Sequence, residues 1–263
     1  MRVFASLSAI SLALAAAPSA GGARRVASLN LCTDELVLAL AAPGQIVSVT
    51  HRAQQEAETP LWRRALLYPR NDGSLISVAA LRPDLVVTMG GGGRDRLHIA
   101  RRLGIPTLDL PFAQSLTDVA ESVRRLALAL GREQAGAALL RRMAALIRGA
   151  PRGRRDTIWL GGGGRTVSAA GLEAQWVALA GLGQRAMPGD RVSLETLILR
   201  PPAILLRSDY RAGQYSAGQR WLSHPAARWA RGARTVPTDG RRWTCMGPLL
   251  IDEIYRLRRE TAR

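Results

Sequence analysis

The apolar positions of this chain fall into two kinds of run. Short, continuously apolar stretches read as strands buried on both faces, and longer stretches with a 3.6-residue recurrence read as helices. Val26–Leu29, Ile46–Thr50, Asp84–Met89 and Pro106–Leu110 are of the first kind. Leu75–Leu81, stopped by Pro83, and Arg94–Leu103, ended by Gly104, are of the second. Thr33 or Asp34 is placed to cap a helix running through Glu35–Leu40. From His51 to Gly73 no long periodicity exists, so an extended connection with a short helical piece is expected there.

Leu116–Leu130 and Arg132–Gly149 are the strongest helical runs, divided at Gly131; in the second, Ala135, Leu139, Met143 and Leu146 recur on one face. The strand grammar then resumes. Thr157–Leu160 ends in Gly161–Gly164, much as Asp84–Met89 ends in Gly90–Gly93. Leu172–Ala180 and Leu194–Leu199 read as helices, Ala203–Arg207 and the stretch around Val236 as strands, and Gly247–Arg259 as the closing helix. Leu75–Val87 is echoed by Leu194–Leu206, each a short helix, an Arg-Pro stop and a buried strand. The fold class is therefore α/β, two small lobes with mostly parallel sheets joined by one long α-helix. The predicted division is an N-terminal lobe over 24–131, a connecting helix over 132–149 and a C-terminal lobe over 150–263. Ligands of such sheets bind outside the carboxyl ends of the strands, here in the cleft between lobes.

Residues 1–23 change the compartment. Arg2 precedes an apolar stretch from Val3 to about Ala17, followed by Pro18 and small residues, which is the build of a cleaved export signal with its site between Ala20 and Ala23. That apolar stretch is shorter than the roughly 20 residues a membrane span needs. Export in turn permits a bond between the chain's two cysteines, Cys32 and Cys245. Two free, partly buried thiols or a thiolate ligand are the alternatives.

The 263 residues carry 37 basic and 20 acidic side chains, a formal +17 that raises nucleic acid as a partner. All 37 basic residues are Arg, scattered in pairs through helices and loops with no zinc-finger spacing, basic arm or aromatic RNA-binding motif. The charge therefore predicts diffuse attraction to anions and no specific nucleic acid. Neither glycine run has the spacing of a phosphate loop, and the chain has no Lys to complete one. There is also no G-x-S-x-G elbow, no H-E-x-x-H and no C-x-x-C, so no enzyme is expected.

Four segments carry a family likeness: Arg25–Leu36 (RVASLNLCTDEL), Ala80–Val86 (ALRPDLV), Leu103–Thr107 (LGIPT) and Trp243–Pro248 (WTCMGP). Together they resemble the periplasmic binding proteins of the cobalamin, haem and ferric-siderophore class, receptors that feed ABC importers. The resemblance covers essentially all of the mature chain. It implies a monomeric periplasmic carrier without an intrinsic cofactor, which delivers a metal chelate to a permease and ATPase complex at the inner membrane. Cobalamin or a related corrinoid is the first expectation, a ferric siderophore or haem the alternative. An exported α/β interaction protein with no transport role is the reading outside that class. In the family one Glu on each lobe docks to permease arginines. Glu195 matches in the second lobe, whereas Ile76 stands in the first-lobe place.

Candidate ligand residues follow from where each sits. Trp243, in the loop before the last helix, offers a flat apolar face to a planar ligand, or else packs under that helix. Tyr210 follows the strand Ala203–Arg207, and Trp62 and Tyr68 lie in the long first-lobe connection. His51 directly follows a strand, from which its imidazole can reach a haem iron or cobalt. Arg94 and Arg165 follow the two glycine runs and are candidates for carboxylates of the ligand. Trp159 and Trp176 are expected in the core. His98 and His224 stand at no metal-ligand spacing, so no dedicated metal site is expected.

Overall fold

In the computed structural model, which describes residues 21–90, 94–210, 216–228 and 230–262, the chain forms two parallel sheets. The expected leader up to residue 20, Gly91–Gly93 and the side chain of Arg94 lie outside the described residues. The first sheet contains β1 (Val26–Ser28), β2 (Ile46–Thr50), β3 (Arg70–Asn71), β4 (Leu85–Met89) and β5 (Thr107–Leu110), in the order β3-β2-β1-β4-β5. Helices α1 (Leu31–Leu40), α2 (Trp62–Ala65), α3 (Leu75–Ala79) and α4 (Arg94–Arg102) alternate with these strands. After α5 (Leu116–Leu130) and α6 (Glu133–Arg148) comes the second set. Its strands are β6 (Arg155–Leu160), β7 (Leu182–Gln184), β8 (Ile204–Ser208) and β9 (Arg234–Thr238), in the order β7-β6-β8-β9. Its helices are α7 (Leu172–Leu179), α8 (Leu194–Leu199), α9 (Ala217–Ser223), α10 (Pro225–Arg228) and α11 (Leu250–Thr261).

The strand runs are apolar throughout because both faces of each sheet are covered. Val26 and Val87 point into one core and Ala27 and Val86 into another. Ile204 and Leu206 likewise face away from Leu205 in the second sheet. Each such Leu, Ile or Val contributes about 1.5–3 kcal/mol on burial. Two of the four edge strands were not legible in this way. β3 and β7 are short and partly polar, so their sequences carry no apolar run. β9 tolerates Pro237 because it is an edge strand, where a missing N–H leaves no bond unmade.

Several boundaries differ from expectation for local reasons. Asn30, not Thr33 or Asp34, caps α1, its side chain accepting from Cys32 N–H at 2.8 Å. Ser74 and Ser193 cap α3 and α8 in the same way, which extends the internal echo to the hydrogen bonds of the two caps. Helix α3 stops at Ala79 because Arg82 turns to φ 46° ahead of Pro83. Arg25 braces that turn from Nε to the Arg82 carbonyl (3.1 Å) and from Nη2 to that of Leu81 (2.6 Å).

Two helices, not one, bridge the cores. Along α6, Ala135 and Leu140 pack on the first core while Met143 and Leu146 lie in the second. Helix α5 makes the same crossing in reverse, with Val119 in the second core and Val123, Leu126 and Leu130 in the first. Gly131, at φ 62°, makes the turn between them.

Candidate ligand cleft

The carboxyl ends of β1, β2 and β3 surround a recess of about 340 Å³ lined by Asn30, Thr50, His51, Arg52 and Asp72 among others. Small-molecule sites commonly enclose about 300–1,000 Å³. Buried Asn71 organises its wall. Its Nδ2 donates to the Ser28 carbonyl (2.9 Å) and Ser48 Oγ (2.8 Å), and its Oδ1 accepts from Gly73 N–H (2.9 Å). The His51 backbone N–H donates to the Asn71 carbonyl (2.8 Å), and the ring Nδ1 lies 3.3 Å from the same oxygen. A carbonyl only accepts, so Nδ1 carries the hydrogen of this contact, and in the neutral ring the lone pair is then on Nε2. That is the form in which an imidazole binds a metal.

The second sheet meets this edge through polar links. Tyr210, after β8, donates from Oη to Glu58 Oε2 at 3.1 Å. Arg241 is clasped by Asp239 at 2.8 and 3.0 Å and extends to the Glu56 carbonyl at 3.0 Å. Burial works against the Asp239 charge, but Arg241 and Arg242 hold its carboxyl below the usual range. Gly240 has to be glycine, because a Cβ there would overlap Ser208 Oγ and Tyr210 Cβ.

Cys32 and Cys245 are joined as a disulfide with Cα atoms 5.1 Å apart, linking α1 to the segment before α11. Both cysteines line a cavity of about 30 Å³ whose wall includes Val119 and Ser122 of α5. The bond therefore sits beside a helix that crosses between the cores. Two buried carboxylates adjoin it. Burial pushes Asp34 up to about 7, opposed by donors on Ser28 and Thr50. Burial also pushes Glu35 up to about 8, opposed by a 2.7 Å hydrogen bond from Thr59 Oγ1 and reinforced by repulsion from Asp34.

Other expected site residues are placed differently. Trp243 offers no face to a ligand: it is 3% exposed, donates from Nε1 to Thr238 Oγ1 (2.7 Å) and meets the Trp159 ring edge-on. Tyr68 packs against the first core. Trp62 is half-buried with the Arg63 guanidinium 4.5 Å over its ring. Arg165 is exposed after the glycine run. That run is shaped by packing, since a Cβ at Gly164, at φ 72°, would overlap the Val192 carbonyl and crowd Trp221. Trp176 is fully buried, donating to the Met246 carbonyl at 2.9 Å. Glu195 is exposed in the first turn of α8, its carboxyl held low by its own backbone N–H and Ser193, and Ile76 is 78% exposed at the matching place on α3. Arg52, Glu58, Asp72, Asp239 and Arg241 were not foreseen. They lie in loops and, for Asp239 and Arg241, at the start of a short 3-10 turn, where no periodicity marks them, and only the strand ends before them hinted at their position.

Residues 26–151 match the family model for periplasmic binding proteins. No curated protein sequence matches the chain. Among solved structures, the haem-binding protein RhuT from Roseiflexus sp. RS-1 is similar at 23% identity and TM-score 0.67, over 92% of this chain and 100% of that one. The haem-binding protein HutB of Vibrio cholerae is similar at 20% identity and TM-score 0.67, over 91% and 99% of the two chains. The vitamin B12 binding protein BtuF of Vibrio cholerae is similar at 17% identity and TM-score 0.62, over 90% and 96%. Such proteins are solute receptors, not enzymes. Residues 26–151 thus carry the match to the periplasmic binding protein family, and the solved structures share the fold of the chain through the second lobe.

Proposed function

We infer that the protein is an exported receptor that carries a metal-centred macrocycle to an ABC import permease. The observation that carries this reading is His51, an exposed imidazole that lines the recess at the carboxyl ends of the first sheet with its Nδ1 turned to the Asn71 carbonyl. A cobalt or iron centre accepts the other ring nitrogen, Nε2. Relatives in fold are described as binding haem or vitamin B12. Cobalamin or a related corrinoid remains one reading. Arg52 beside His51 favours the second, haem, because a guanidinium pairs with a macrocycle's carboxylates and finds no such charge on the amide-bearing corrinoid rim. Exposed Arg165 is a further carboxylate partner from the second lobe. Tyr210, tied to Glu58 in the connection after β2, is a secondary contact.

The leader, cleaved between Ala20 and Ala23, delivers the chain to the periplasm. There Glu195, charged and exposed on α8, docks on an arginine of the permease, while Ile76 makes the first-lobe contact apolar. Titration of the mature protein with haemin and with hydroxocobalamin, read by visible absorbance and Trp fluorescence, tests the reading. One of the two is expected to bind with a shifted metal band that His51→Ala abolishes. Absence of binding by both refutes the carrier role.

A further inference from the structure

Residues 61–70 present an apolar and cationic face that neither the cores nor the cleft uses. Turns prolong α2 beyond Ala65: Leu66 N–H donates to the Trp62 carbonyl, Leu67 N–H to that of Arg64 and Tyr68 N–H to that of Ala65. This winding brings Leu66 and Leu67, three and four residues on, to the same face as Arg63. The opposite side is anchored, since Ala65 is fully buried and Tyr68 packs on the first core. Leu66 is 54% and Leu67 76% exposed. Arg63, Arg64 and Arg70 are exposed around them, and no acidic residue occurs from Pro60 to Asn71. The Arg63 guanidinium covers the half-buried ring of Trp62 at 4.5 Å.

One exposed leucine needs no explanation. Two adjacent leucines on an anchored turn, ringed by guanidiniums and flanked by an indole, have the make-up of a membrane-interface contact. We propose that this face docks on a lipid surface carrying anionic headgroups. Leu66 and Leu67 enter the headgroup–acyl boundary, and Trp62 lies at headgroup level. The arginines meet lipid phosphates, for which a planar guanidinium is well shaped. The formal charge of +17 draws the whole molecule toward such a surface, and the leucines choose which side lands. An acidic protein would satisfy the arginines equally well. The position of Leu66 and Leu67, exposed side by side on a single short turn, favours a fluid surface that closes around them. This inference is independent of which ligand the cleft carries.

Co-sedimentation of the mature protein with vesicles of phosphatidylcholine alone, and of phosphatidylcholine mixed equally with phosphatidylglycerol, tests it. Wild type is expected to bind the mixed vesicles and not the neutral ones. L66S/L67S preserves every charge and alters only exposed positions, and it is expected to lower the partition coefficient at least about tenfold. R63Q/R64Q is expected to weaken binding and to flatten its dependence on salt. Equal binding by wild type and L66S/L67S overturns the proposal, leaving attraction by net charge alone. Failure of wild type to bind the mixed vesicles overturns it as well, and points to a protein partner.

Discussion

Tyr210 Oη donates to Glu58 Oε2 at 3.1 Å, joining the end of β8 in the second sheet to the connection that follows β2 in the first. Glu58 is only 4% exposed, so it accepts this bond largely out of reach of water. Hydrogen bonds to charged groups are worth about 1.5–3 kcal/mol. Tyr210→Phe removes the donor and keeps the ring. It is expected to lower the urea midpoint of the mature protein by an amount within that range while leaving the m-value unchanged. An unaltered midpoint would show that the two lobes do not depend on this contact.

The Cys32–Cys245 bond closes a loop with a sequence separation of 213 residues. Removing a native disulfide from an exported protein typically costs about 2–5 kcal/mol. The double variant Cys32→Ser/Cys245→Ser is expected to lose stability on that scale. Because the bond lies beside α5, ligand affinity should change less than it does in His51→Ala. Thiol titration of the denatured, unreduced protein is expected to find no reactive thiol, and two after reduction. Two thiols before reduction would sink the assignment.

Trp243 tests the distinction between core and cleft. Its Nε1 hydrogen bond to Thr238 and its edge contact with Trp159 put it under α11. Truncation of a buried Trp to Ala costs about 3–5 kcal/mol. Trp243→Phe, which keeps most of the volume, is expected to lower the thermal midpoint and leave the ligand dissociation constant within about twofold of wild type, well below the tenfold step that 1.4 kcal/mol would give. A large loss of affinity at unchanged stability would return Trp243 to the ligand.

Much of this fold was legible because its central strands are buried on both faces and its two longest helices are strongly amphipathic. The LRPDLV segment lies at the start of β4, and its echo leads into β8. Sequence reasoning failed where the decisive contact is long-range. Nothing local marks Glu58 as the partner of Tyr210, or Arg241 as the donor to the Glu56 carbonyl. The arginines are the clearest case. Many serve as braces for backbone carbonyls, a role invisible in a charge count. Arg258 donates to the carbonyls of Leu179 (2.6 Å) and Leu146 (2.5 Å) at the ends of α7 and α6. Arg185 reaches the Arg200 carbonyl (2.6 Å) after α8 and also pairs with Asp156. A guanidinium near a helix C-terminus both satisfies an orphan carbonyl and meets the negative end of the helix dipole. Part of the +17 is therefore architectural.

The buried acids Asp34 and Glu35 give the protein an unusual pH profile. Burial raises Asp34 from 3.8 to about 7 and Glu35 from 4.5 to about 8. An unfolded chain releases these protons near pH 4, whereas the folded chain holds them until pH 7 or 8. Between those limits the native state binds more protons than the unfolded one, so these two groups make stability fall as pH rises. Below about pH 4 both states are protonated and the two groups no longer contribute a slope. Glu35→Gln keeps the shape and the hydrogen bond with Thr59 but cannot ionise. Urea midpoints measured from pH 5 to pH 9 should decline in wild type and decline less steeply in Glu35→Gln, with the curves separating most above pH 8, where wild-type Glu35 is charged. Parallel curves for the two proteins would mean that Glu35 is already ionised at neutral pH, and that the hydrogen bond from Thr59 outweighs its burial.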